Sequence, residues 1–317
     1  MTSKNILRVS AKILPPVFYA LLIVFLVLYL KKIDFSQFAS IEWNWYFVGL
    51  ATLFGLGMRF WQVLIWLVLL HNLGAKDLKS NVKPLTFVYA KSWLGRYIPG
   101  TAPWILGKIF FASKLGISKS KLAVSSLLEG ALQIAVVMVV SLAILLFDAR
   151  LSHLGTNMTI LIVAALIACI VSVWPPVFNR LVTFAYKIIR RKQLDPEHLA
   201  SNKTVAQGAL LYVVSALLSG TALFFIAKAI DPSLGFSNLP YVIGLSNLAG
   251  AMGMLAIFAP SGIGVRDGII LALLSVVMKP EYALAVTVAA RLWDVVIDLL
   301  FVITAKVLSR FSYHNPI

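Results

Sequence analysis

GRYIPGTAPWILGK, residues 95–108, lies inside an otherwise apolar stretch, 85–112, of a 317-residue chain. Arg96 and Lys108 put two fixed positive charges there, with Pro99, Gly100 and Pro103 between them. Proline removes a backbone donor and clashes with the preceding turn, and glycine costs a helix about 1 kcal/mol relative to alanine. The stretch therefore reads as two short halves, 85–98 and 103–112, around a break. Neither half reaches the roughly 20 residues that cross a hydrocarbon core. The expected form is a re-entrant or broken hairpin that enters and leaves on one side. A second segment, FAPSGIGVRDG at 258–268, interrupts apolar 239–278 in the same way.

The rest of the chain supplies the membrane. It is 60% hydrophobic and 13% charged, against about 45–50% and 25% in soluble domains. Uninterrupted apolar segments fall at 13–30, 45–70, 122–147, 156–174, 205–230 and 282–306. The expected fold is an all-α polytopic membrane protein, about six transmembrane helices plus two broken hairpins. Segment 13–30, behind Lys4, Arg8 and Lys12, imitates a signal peptide, but its length and flanks favour an uncleaved first span. The one cysteine, Cys169, and four scattered histidines show no ligand spacing, so neither metal nor cofactor is expected. A GxxxxGK[ST] phosphate loop is missing from the sequence, which removes direct use of ATP.

A net charge of +16 would suggest nucleic acid in a soluble protein. Here the cations sit mostly between apolar runs, which points to membrane orientation and anionic lipid and away from nucleic acid. With the N-terminus in the cytoplasm and both hairpins returning to the side they left, seventeen basic residues fall inside and five outside. The inside set occupies 1–12, 71–84, 113–121, 175–204 and the C-terminal end; the outside set is Lys31, Lys32, Arg150, Lys228 and Lys279. Both termini are therefore expected in the cytoplasm of a multi-pass cytoplasmic (inner) membrane protein. Residues 176–192 fit a helix lying in the cytoplasmic interface against anionic headgroups.

The layout repeats. Glu129 follows Pro99 by 30 residues, and Arg291 follows Pro260 by 31. A single membrane domain, 1–317, is expected, with a first half at 45–147, a linking span and interfacial helix at 148–204, and a second half at 205–306. One linking crossing, 156–174, would turn the second half over. Inverted repeats with discontinuous helices are a transporter pattern.

Ten ionisable residues lie in or beside apolar segments: Arg59, Lys91, Arg96, Lys108, Glu129, Arg266, Asp267, Arg291, Asp294 and Asp298. Each would cost about 2.5–3.5 kcal/mol near the bilayer centre, so they must face one another or water. Arg291 and Asp294, three apart, could neutralise each other. Lys91 and Arg96 could snorkel to the surface, and Arg59 is expected to pair with Glu129 or a later acid. A helix break exposes a positive helix N-terminus, and with nearby cations that makes an anion site. The expected phosphate-binding set is Arg96, Pro99, Gly100, Lys108, Gly262, Gly264, Arg266 and Arg291. Arg59, Glu129, Asp267, Asp294 and Asp298 are expected to couple or pair. The tryptophans read mostly as interfacial anchors, with Trp93 and Trp104 bracketing the first break.

LGRYIPGTAPWILGK, SKLGIS and AVSSLLEGALQ, followed by FAPSGIGVRDGIILALL and AARLWDVV, resemble the lysylphosphatidylglycerol synthase transmembrane-region family of flippase-like domains. The likeness covers about 45–306. Lys108 matches the family's ionisable residue after the first Pro-Gly only approximately, and Asp267 stands where Glu is more usual. The resemblance implies movement of a lipid with a phosphate-bearing polar head, such as an aminoacyl-phospholipid or a polyprenyl-phosphate sugar. No synthase domain is expected beside the membrane region, so flipping, or support of a separate synthase or glycosyltransferase, is expected over lipid synthesis. Two alternatives stand: a membrane enzyme using Asp294 and Asp298, four apart on one helix, and a non-catalytic subunit of envelope glycolipid synthesis.

Overall fold

A computed structural model describes residues 42–98, 102–151, 155–190, 199–256, 262 and 264–310. The expected first span, together with Pro99, Gly100, Pro260 and Ser261, lies outside the described residues. Ten α-helices run through those residues: α1 (Trp45–Asn72), α2 (Val82–Trp93), α3 (Ala102–Ala112), α4 (Lys119–Leu146), α5 (Thr156–Val173), α6 (Pro175–Arg190), α7 (Asn202–Ile230), α8 (Leu239–Leu255), α9 (Val265–Leu274) and α10 (Pro280–Arg310). The chain is an all-α polytopic membrane protein. Helices α1, α4, α5 and α7 are long and apolar enough to cross a membrane. Helix α10 has the length, but Arg291, Asp294 and Asp298 interrupt its apolar run.

The two interrupted stretches form helix pairs. After α2, a 3-10 turn at Leu94–Tyr97 tightens the chain, and α3 returns against α2. Gly95 permits the return: a Cβ there would lie 2.8 Å from the backbone nitrogen of Trp104. The second pair, α8 and α9, closes similarly. Gly262 has φ +68°, and a Cβ on it would meet Gly253 Cα at 2.7 Å. Left-handed backbone against a neighbouring backbone admits only glycine.

Helix α1 packs along α7, α4 against α8 and α10 against α2. With little hydrophobic drive inside lipid, close packing and interhelical hydrogen bonds hold such bundles. Ser141 Oγ donates to Gly244 O (2.7 Å), Trp61 Nε1 to Leu211 O (2.8 Å) and Asn247 Nδ2 to Ala216 O (2.9 Å). Helix α5 packs on α4 yet buries no residue fully. Its exposed Ile160, Leu161 and Ile167 suit hydrocarbon.

The connections gather at two ends. Asn72 donates to Gln207 (2.9 Å), Lys121 to Gly74 O (2.6 Å) and Asn179 to Ala200 O (2.9 Å), which joins the end of α1, the starts of α4 and α7, and α6. At the other end Asn44 N donates to Ala229 O (3.0 Å), and Arg150 lies over the Tyr241 ring. Helix α6 buries Phe178, Val182 and Tyr186 against the bundle and exposes Leu181, Phe184 and Ile188. Trp66, expected among the interfacial tryptophans, is instead fully buried and donates to Ser125 Oγ (3.2 Å).

Candidate functional site

Two charged clusters occupy the bundle. The first is a chain of ion pairs that crosses from one broken pair to the other. Arg96, in the turn after α2, meets Asp298 of α10 at 2.9 Å. Asp298 also meets Arg59 of α1 at 2.7 Å. Arg59 reaches on to Asp294 at 3.4 Å, and Asp294 meets Arg266 of α9 at 2.5 Å. Trp93 Nε1 (3.1 Å) and the Tyr97 hydroxyl (2.8 Å) donate to Asp298 as well. A carboxylate that is 0% exposed is thus met by two guanidinium groups and two neutral donors, as buried charge requires.

These contacts correct the local pairing expected from spacing. Arg291 does not pair with Asp294 one turn on. It pairs with Asp267 of α9, at 2.5 Å and 3.1 Å. Asp267 also accepts from the backbone N–H of Gly264, which caps α9. The N-terminus of α9, expected to offer free N–H groups to phosphate, therefore already holds a carboxylate. Arg59 pairs with the later acids and not with Glu129. Arg96 turns inward and does not snorkel, and Lys91 lies over the Phe111 ring at 3.7 Å.

The second cluster is sealed. Lys108 of α3 is 1% exposed and pairs with Glu129 of α4, which is 0% exposed. The Tyr89 hydroxyl donates to Glu129 at 2.5 Å, and Lys108 Nζ sits 4.0 Å from the Trp104 ring centroid. An ammonium over an indole face gains cation–π attraction in addition to its ion pair.

Between the first cluster and helices α4, α7 and α8 lies a cavity of about 180 Å³. Arg59, Arg96 and Arg266 line it, with Asp294 as the one lining carboxylate among the described residues. Trp93 and Trp104 from the first broken pair and Gly253 and Gly262 from the second also reach it. The flanks of both breaks thus share one chamber. Of the expected binding residues, Arg96, Gly262 and Arg266 are on its wall; Lys108, Gly264 and Arg291 are not.

The neutral part of the wall was not foreseen. Gln62, Gln133, Ser215, Ser219, Ser246 and Asn247 all face the chamber. Spacing carried a signal for three of them: Gln62 lies one helical turn from Arg59, and Ser215 and Ser219 are four apart, so each pair shares a helix face. Two side-chain atoms at the wall, Gln62 Oε1 and Arg96 Nε, are buried without a hydrogen-bond partner.

Three guanidinium groups against the two carboxylates that meet them leave one net positive charge at the chamber, which suits an anion. The family described as the lysylphosphatidylglycerol synthase TM region has a model that matches residues 13–301. The chain belongs to this family. Neither the curated proteins nor the solved structures compared with the chain gave a match. Membership makes it a membrane protein involved in lipid handling. Residues 13–301 take in every element of the chamber.

Proposed function

We propose that the protein translocates an anionic, polar-headed lipid across the cytoplasmic membrane. The phosphate is held among Arg59, Arg96 and Arg266 while the acyl or prenyl chains remain in the bilayer. One observation carries this reading: three guanidinium groups line one chamber where the flanks of two interrupted helix pairs meet. Buried guanidinium groups match phosphate oxygens in geometry and charge. The exchange pattern of helix contacts supports an inverted repeat. Helix α1 packs on α7, and the contact of α4 with α8 is mirrored by that of α10 with α2. Two halves related in this way could expose one site to either face in turn.

The enzyme alternative is less well supported. Asp294 faces Arg59 and Arg266, and Asp298 faces Arg59 and Arg96. Each carboxylate is thus already engaged by two guanidinium groups, which leaves neither free to meet a reacting group.

Reconstituted vesicles carrying a fluorescent anionic lipid test the proposal. The protein should equilibrate the label between leaflets at least tenfold faster than empty vesicles do. Arg96→Gln and Arg266→Gln should each slow it at least tenfold, because each removes a phosphate donor from the wall. A wild-type rate equal to that of empty vesicles overturns the reading.

A further inference from the structure

We infer that α6 is a docking site for anionic lipid: its outer apolar stripe enters the edge of the hydrocarbon while Arg180 and Lys187 take headgroup phosphates. The site is separate from the chamber and stands whether or not the chamber moves lipid. Helix α5, a span by length and composition, ends at Val173, and α6 starts at Pro175. Trp174 between them is 62% exposed, and an indole there suits the boundary between membrane and water. Phe178, Val182 and Tyr186 then share one core cluster with Leu69 and Leu73 at the end of α1 and with Ala123 and Val124 near the start of α4. Helix α6 therefore sits at the level where two spans end and lipid headgroups begin.

Helical spacing sorts the rest of α6 into stripes. Leu181, Phe184 and Ile188 share one, and Arg180 and Lys187, seven apart, share another. At about 3.6 residues per turn, the apolar stripe falls between the side packed on the bundle and the basic stripe. Asn179 and Thr183 complete the circle, and Asn179 is held by Ala200 through bonds of 2.9 Å and 3.0 Å. Bundle, hydrocarbon, headgroup and water are met in that order by a helix lying in the interface at the rim of a bundle. A solvated connector would not be built this way: Leu181, Phe184 and Ile188 are 50%, 65% and 62% exposed, and water disfavours that apolar surface. The stripe follows Ile170 and Val171 of α5, which are exposed as well. Charge selects the kind of lipid. Arg180 and Lys187 are exposed, the sequence adds Arg190, Arg191 and Lys192, and no acid occurs between Asp148 and Asp195. Basic segments beside a membrane attract anionic headgroups. An acidic protein surface would satisfy the cations but would leave the apolar stripe without hydrocarbon.

Lipid contact at α6 can be measured in phosphatidylcholine nanodiscs holding the full chain, with Cys169→Ala and a fluorophore on Leu181→Cys. The quenchers are phosphatidylglycerol and phosphatidylcholine carrying the same nitroxide on the same acyl chain, at equal mole fraction. The phosphatidylglycerol should quench at least twofold more. A fluorophore on Ile167→Cys, two turns before Trp174 in α5 and 56% exposed in the native chain, should be quenched equally by both and so reports the bulk lipid. Arg180→Gln combined with Lys187→Gln should remove at least half of the preference at Leu181→Cys. Quenching itself should persist, because Phe184 and Ile188 still seat the helix. Both cations are exposed, so the unfolding temperature should not move. Equal quenching of Leu181→Cys by the two lipids, or a preference unchanged by the double variant, overturns the inference. Quenching by neither lipid would assign this face to water or to a protein surface, a second copy included, and overturns it as well.

Discussion

Glu129 is the most enclosed acid of the sealed cluster, and Lys108 is the cation that meets it. Removing one partner of a buried ion pair leaves an uncompensated charge and costs about 3–5 kcal/mol. Lys108→Met should therefore lower the unfolding temperature in detergent sharply, with only the Tyr89 hydroxyl left to serve Glu129. Lys108→Met combined with Glu129→Gln should recover more than half of that loss, since the amide can still accept from Tyr89. A double variant as unstable as the two single losses added would show that the residues do not act as a pair. The presence of charged residues at depth was readable from the sequence, because ten of them fall in or beside apolar runs. Their partners were readable only in part: Arg59 meets later acids, as expected, but the pairing within α10 was not. Spacing along α10 suggests Arg291 with Asp294, but α9 brings Asp267 and Arg266 alongside, and each takes the partner on the other helix. A contact at one turn's separation competes with every contact that tertiary packing adds, and the sequence shows only the first.

The breaks that open the two hairpins were readable from proline and glycine alone, and the helices stop close to where those residues fall. The tight return of α3 onto α2 was not, because it depends on a backbone approach between residues nine apart. Gly95 faces the Trp104 nitrogen at 2.8 Å and the Pro103 carbonyl carbon at 2.9 Å for an added Cβ. Backbone atoms cannot yield as a flexible side chain can. Gly95→Ala should therefore separate the arms, costing about 1–3 kcal/mol as overpacking does, and should displace the adjacent Arg96 from Asp298. Gly49→Ala in α1 is the contrast, since nothing lies within 4 Å of a Cβ there. It should be neutral or stabilising by up to about 1 kcal/mol, because alanine favours helix. Unfolding temperatures of the two variants in the same detergent check the difference; equal losses would assign the effect to helix propensity and not to the approach of the arms.

For the whole molecule, the end of α1, the starts of α4 and α7, and α6 lie together at one end, tied by Lys121 to Gly74 O, Asn72 to Gln207 and Asn179 to Ala200 O. The opposite end brings together the start of α1 and the end of α7, and Arg150 with Tyr241. Grouping by contact thus agrees with grouping by charge, although the second was obtained without the first. The positive-inside tendency predicts that this basic end faces the cytoplasm. Because Cys169 is the single cysteine, a Cys169→Ala background makes the orientation measurable. Lys119, at the basic end, and Ser233, in the loop after α7, are both exposed. In right-side-out vesicles a membrane-impermeant maleimide should label Ser233→Cys and spare Lys119→Cys; inverted vesicles should reverse the result. Labelling of both from one face would mean that an even number of crossings separates them. The linking span α5 could not then act alone to turn one half over, and the alternating exposure of the arginine chamber would lose its geometric basis.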